Sequence, residues 1–122
     1  ASFTVLLGRS GCGKSTLLNI AAGLQQPSTG HLLYDGQAVS GNQPDSALIS
    51  QQNNLFPWMS AVENIAIALL NRGLDREAAT RRAEQLLADV GLAEFARHRP
   101  AALSGGMCQR VMIACALVQP RR

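Results

Sequence analysis

Residues 8–16 read Gly-Arg-Ser-Gly-Cys-Gly-Lys-Ser-Thr and hold the chain's only lysine, Lys14. This is the spacing G-x-x-x-x-G-K-[S/T], with which a short peptide grips a chain of phosphates. Such a ligand carries several negative charges and sheds water as it binds. Backbone N–H groups replace that water only where the main chain comes very close, which Gly8, Gly11 and Gly13 allow. Ser10, Cys12 and Thr16 complete the stretch assigned to the phosphates. Lys14 supplies a point charge for the outer ones. The Ser15 hydroxyl is a hard oxygen suited to Mg²⁺, and a helix beginning here turns its positive end toward the ligand.

The flanks fit that chemistry. Phe3-Thr-Val-Leu-Leu7 is a short β-rich apolar run ahead of the loop, and Leu17, Leu18, Ile20, Ala21 and Ala22 continue as a buried helix behind it. Strand, glycine loop and helix form the setting the pattern requires. An ordinary glycine-rich turn with a stray lysine would not bring all eight positions together.

The chain has 122 residues, enough for one domain or a piece of a larger one, and 47% are hydrophobic, which suits a packed α/β core. Its longest nearly apolar stretch, Ile65 to Leu70, is far short of the roughly 20 residues a membrane helix needs. No basic-then-apolar leader opens the sequence. The net charge is +3, yet no basic stripe forms. Arg72, Arg76, Arg81, Arg82 and Arg97 share helical segments with Asp75, Glu77, Glu84, Asp89 and Glu94, so a solvated mixed face is expected and no nucleic-acid partner. Cys12, Cys108 and Cys115 lack metal-ligand spacing, and a disulfide at Cys12 would obstruct the loop; reduced thiols in the cytosol are expected.

Asp35-Gly36 between His31–Tyr34 and Gln37–Val39 signals a hairpin. Residues 40–45 read as loop and Ala47–Ser50 as a short buried strand. The period then turns helical. Ser60 and Glu63 form a capping box before Val62, Ile65, Leu69 and Leu70, and Asn71-Arg-Gly73 breaks that helix. Asp75 caps a second one, with Ala79, Ala83, Leu86, Leu87 and Val90 on its apolar side and Gly91 at its end. A short helix is expected from Ala93 to Arg97. His31 and His98 read as surface residues.

Residues 103–110 read Leu-Ser-Gly-Gly-Met-Cys-Gln-Arg, followed by an apolar stripe of Met107, Val111, Ala114, Cys115 and Val118. Ser104 is expected to cap this helix, with Gly105 and Gly106 keeping its N-terminus free of side chains. By itself this is a common capping arrangement. Paired with an upstream phosphate loop, it becomes a second anion-accepting helix end.

A P-loop, a glutamine-containing loop and Leu-Ser-Gly-Gly-x-x-Gln-Arg together resemble the ATP-binding subunit of ABC transporters. The resemblance runs over essentially the whole chain. It implies an α/β P-loop NTPase of ABC type, with a β-containing P-loop core in residues 1–58, a helical subdomain in 59–102 and the signature with its helix in 103–122. It further implies that residues 8–16 hold ATP and Mg²⁺. Gln51 matches the family's Q-loop glutamine, near metal and attacking water, by its spacing to Pro57-Trp58; Gln52 lies beside it. Lys14 and Gln51 are thus the implied catalytic residues, and Ser15 and Gln51 the implied metal contacts. Ser104, Gly105 and Gly106 would touch the γ-phosphate of ATP held by a second subunit in a head-to-tail dimer.

Leu55-Phe-Pro-Trp58 followed by Glu63-Asn64 looks like the nitrate, sulfonate and taurine importers within the family. Phe56 and Trp58 suit an apolar anchor for a transmembrane permease subunit, or Trp58 covers the domain's own core. Peripheral attachment at the cytoplasmic face of the inner membrane is implied. The family's second carboxylate motif and later histidine do not occur in these residues, and Cys115 stands where the family usually has arginine. The expectation is therefore a partial chain, itself unable to hydrolyse ATP at a useful rate. Another P-loop NTPase or kinase, or a truncated nucleotide-binding module without chemistry, are the alternative readings.

Overall fold

The computed structural model describes residues 3–38, 41 and 47–118. The chain divides into two compact units, residues 1–48 and 49–122.

In the first unit, residues 3–9 run without regular structure into a turn, and helix α1 follows at Lys14–Ala21. The expected strand at Phe3–Leu7 is absent: among the described residues no neighbouring strand takes up its backbone groups, and Phe3 is 92% exposed. The helix appears where expected but has no buried residue, with Leu17 52% exposed. Strands β1 (Leu33–Tyr34) and β2 (Gln37–Ala38) pair antiparallel, Leu33 opposite Ala38 and Tyr34 opposite Gln37. The turn between them has positive φ at both Asp35 (49°) and Gly36 (79°), the backbone twist a two-residue hairpin needs. Val39 and residues 42–46 lie outside the described residues.

Residues 47–50, the last two of the first unit and the first two of the second, form no strand and are mostly exposed, again with no strand partner among the described residues. Helix α2 (Ala61–Leu70) starts at the expected box: Glu63 Oε2 accepts the Ser60 N–H at 2.7 Å and Ser60 Oγ accepts the Glu63 N–H. Helix α3 (Arg76–Asp89) is capped by Asp75, whose Oδ1 accepts the Ala78 N–H at 2.9 Å. It ends at Gly91, with the Gly91 and Leu92 N–H groups closing on the carbonyls of Ala88 and Leu87. The expected helix after it is a 3₁₀ turn, Ala93–Phe95; a second one, Pro100–Ala102, leads to helix α4 (Gly105–Leu117).

The core joins these three helices. Ala61, Ile65 and Leu69 of α2 meet Ala79, Ala83, Leu86 and Leu87 of α3 and Val111 and Ala114 of α4, with Leu92 closing one end. Small Ala79 and Ala83, one turn apart, admit α2 closely. Ile65, Leu87 and Val111 are fully buried, each worth roughly 1.5–3 kcal/mol of transfer free energy. Helix α4 is tied down at both ends: the Cys108 thiol faces the Pro100 carbonyl, and the Arg72 guanidinium donates to the Val118 carbonyl.

Candidate functional site

The phosphate loop is shaped by backbone rather than by packing. Gly11 has φ 80° and Gly13 φ 95°, a left-handed region that costs any side-chain-bearing residue about 1–2 kcal/mol. Gly8 leaves room for the Cys12 thiol: a Cβ there would lie 2.6 Å from Cys12 Sγ, so that exposed thiol would have to turn away. Gly13 is the N-cap of α1, supplies no side-chain acceptor, and no acid stands in the first turn. The first N–H groups of α1 therefore have no side-chain cap of their own. Lys14 folds back over the same loop, its Nζ donating to the carbonyls of Gly8 at 2.7 Å and Arg9 at 2.6 Å, 3.6 Å from Cys12 Sγ. An uncapped helix N-terminus and an ammonium group thus converge on one loop, and both favour an anion. Ser10, Ser15 and Thr16 are exposed around it. Ser15 stands in the first turn of α1, so its hydroxyl fits a hard cation bound together with phosphate oxygens.

The second helix end is built differently. Ser104 caps α4, its Oγ accepting the Met107 N–H at 3.2 Å, and no acid follows in the first turn. Gly105 and Gly106 are exposed, are the first two residues of the helix, and a Cβ on either would meet nothing within 4 Å. Among the described residues, neither glycine is required by conformation or packing.

Gln51 is exposed in an irregular segment that its neighbours hold together: Ser50 Oγ donates to the Gln52 carbonyl, Asn54 Nδ2 to Ser50 Oγ, and the Leu55 N–H to Asn53 Oδ1. Among the described residues the Gln51 side chain makes no hydrogen bond, leaving its amide oxygen free to meet a ligand.

Trp58 is 63% exposed and Phe56 42%, their ring centroids 5.5 Å apart. Trp58 therefore does not cover the core. It lines, with Val62, Ala66, Ile67 and Leu70, a cavity of about 710 Å³ that Arg76, Arg97 and Arg99 also border. Beneath the aromatic pair lies a residue that the sequence reading used only as part of the Glu63-Asn64 pattern, without a role for its side chain. Asn64, 4% exposed, is the one buried polar side chain among the described residues. Its signal was an amide on the apolar face of α2, between Ala61 and Ile65. The Cys115 thiol lies 3.7 Å from the Asn64 carbonyl, and burial pushes that thiol up to about 11, so it stays protonated. All three cysteines are free, Cys12 exposed and Cys108 buried.

A profile of the ABC transporter family matches residues 1–122. The taurine import ATP-binding protein TauB of Pseudomonas aeruginosa is 47% identical over 117 residues, covering 95% of this chain and 44% of that protein. The TauB proteins of Rhizobium johnstonii (49% identical over 115 residues) and Sinorhizobium fredii (46% over 120) are similar, with 94% and 98% of this chain and 44% and 45% of theirs aligned. The chain thus spans under half the length of these curated relatives. Among solved structures, the ATP-binding cassette MJ0796, determined as a dimer in a post-hydrolysis state with ADP and Pi, superposes with a TM-score of 0.78 at 35% identity. That match covers 91% of this chain and 53% of that one. With the family profile spanning every residue, the chain belongs to the ABC transporter family.

Proposed function

We propose that this chain is part of an ATP-hydrolysing subunit that drives an ABC importer of the nitrate, sulfonate and taurine group, and that residues 8–16 hold the phosphates of ATP. The observation that carries this reading is the first turn of α1, whose uncapped N–H groups and folded-back Lys14 leave positive charge on one loop. The TauB relatives are named for taurine import, which supports a small sulfonate or similar anion as the solute class.

Each side chain has a distinct task in that reading. Backbone amides from Gly8 to Thr16 orient the phosphate chain, and Lys14 leaves its two carbonyls to neutralise the outer phosphates. Positioning and charge neutralisation are major parts of phosphoryl transfer. Ser15 and Gln51 would hold a Mg²⁺ ion, which when bound screens the phosphate charge. Gln51 orients the attacking water through its free amide. Ser104, Gly105 and Gly106 act on ATP held by a partner subunit: glycine is a weaker helix former than alanine, by at most about 0.5–1 kcal/mol, and since no contact among the described residues requires either one, close approach from outside accounts for them. The dimeric cassette of similar fold supports that arrangement. Phe56 and Trp58 meet a transmembrane permease subunit at the cytoplasmic face, an exposed aromatic pair being suited to anchor a partner. Residues 1–58, 59–102 and 103–122 then serve as P-loop core, helical subdomain and signature element.

The assignment is tested by titrating a fluorescent ATP analogue against the full-length protein and its Lys14→Ala variant. A charge-assisted contact contributes about 1.5–3 kcal/mol, so the variant should bind about tenfold or more weakly. Equal affinities would reject residues 8–16 as the phosphate site.

A further inference from the structure

Phe56 and Trp58 are exposed, yet the backbone beneath them is fixed from one point. Asn64 Oδ1 accepts the Phe56 N–H at 2.7 Å, and Asn64 Nδ2 faces the carbonyls of Phe56 at 3.2 Å, Met59 at 3.2 Å and Ser60 at 3.0 Å. Both backbone groups of Phe56 are thus held by one side chain. The two bonds to Phe56 reach eight residues back along the chain, past the Ser60 cap to the loop before it. A polar residue so deeply buried is tolerated because its amide is fully partnered.

An apolar side chain at this place would add to the α2 face but would leave the Phe56 N–H and the Met59 carbonyl to find other partners, the Phe56 and Ser60 carbonyls keeping their backbone bonds from the Met59 and Asn64 N–H groups. The loop would then be free to turn Trp58 inward over the cavity it lines, burying the very surface that is now presented. The carbonyl of Asn64, meanwhile, meets the Cys115 thiol of α4, the helix whose first residues follow Ser104. The aromatic loop and the signature helix therefore rest on the same residue.

We propose that Asn64 is a positioning residue that presents Phe56 and Trp58 as a preorganised surface for the membrane subunit. This rests on the reading that the aromatic pair is where that subunit docks. Preorganisation raises affinity because the ordering is complete before the partner arrives. Removing the clamp should then weaken docking without touching a docking side chain, and should leave the phosphate loop alone.

The experiment uses the full-length protein and its solubilised permease subunits, with Asn64→Ala and, separately, the double variant Phe56→Ala/Trp58→Ala. Amide exchange is followed over residues 54–60 and over α3, together with permease affinity and ATP-analogue affinity. For Asn64→Ala the expected result is faster exchange at 54–60 and about tenfold weaker permease binding, with α3 protection and nucleotide affinity unchanged. Unchanged exchange at 54–60, unchanged permease affinity, or equal loss of protection in α3 would each overturn the proposal, the last by showing that Asn64 only holds the helices together. If Asn64→Ala does not accumulate folded, the parent protein decides: the Phe56 amide should exchange as slowly as amides inside α2, and free exchange there would overturn the clamp. If the aromatic double variant binds the permease normally, the docking reading fails, while the exchange data still judge the clamp by itself.

Discussion

None of the described side chains from 3 to 48 is buried, whereas residues 49–118 enclose a core in which Ala61, Ile65, Ala79, Ala83, Leu87, Val111 and Ala114 have no exposed surface. The two regions shape the helix ends proposed to accept anions by opposite means. Around α1 the shape comes from glycines at positive φ and from a lysine bonded to its own loop. At α4 it comes from a helix locked into a core, with a serine cap and two glycines that nothing among the described residues requires. A phosphate loop can therefore be specified almost entirely by local backbone chemistry, while a signature helix depends on everything packed behind it.

That contrast breaks first if stability is not concentrated in the second region. In the 122-residue chain, Leu87→Ala should destabilise by about 2–5 kcal/mol, the usual range for a buried leucine. Leu17→Ala on the exposed face of α1 should stay within about 0.5 kcal/mol. Urea unfolding followed by circular dichroism measures both, and comparable losses would show that α1 is buried after all.

A smaller effect separates the glycines. Gly13→Ala forces a side chain into φ 95° and should weaken the start of α1 by about 1–2 kcal/mol. Gly106→Ala should do the reverse and stabilise α4 by at most about 0.5–1 kcal/mol, visible as a rise in Tm, while turnover in the full-length protein falls. A Gly106→Ala protein that is less stable, or equally active, would remove the argument that this glycine serves an outside contact.

The smallest effect concerns pH. The Ser60 backbone N–H, then its hydroxyl, hold the Glu63 carboxyl below its ordinary value of 4.5, and the Ala78 N–H does the same for Asp75 below 3.8. Both groups favour the folded state when ionised. Their contribution is complete above those ordinary values and is lost as pH falls through the lowered folded-state ones. Both are exposed, so only a shallow loss of helicity is expected below about pH 4.5. It should shrink in Ser60→Ala, where the box is broken. A loss beginning near neutrality would place the titration elsewhere.

What could be read from the sequence was whatever closes within a few residues. The Ser60 and Asp75 caps, the Asp35-Gly36 turn, the stop at Gly91 and the Ser104 cap all join partners five or fewer positions apart, and each stands as expected. Strands at 3–7 and 47–50 were not legible in the same way, because a strand exists only against a neighbour. The apolar residues of α1 mark a face, but a face says nothing of what covers it. The role of the Asn64 side chain was missed because its partners are backbone groups whose direction is set by Pro57 and the turn through Met59. For the site, the P-loop residues lie on one loop as the spacing demands, while the role proposed for Ser104-Gly-Gly106 involves a partner that no single chain displays.

The central claim is that the two helix ends of one chain serve two different nucleotides. The direct measurement mixes two inactive full-length variants, Lys14→Ala and Ser104→Arg, and follows phosphate release. If the signature acts across a dimer, the mixed dimer contains one site built from an intact loop and an intact signature, so mixing should restore turnover that neither variant shows by itself. If each chain used both elements on its own nucleotide, every site in the mixture would carry one damaged part, and no activity would return.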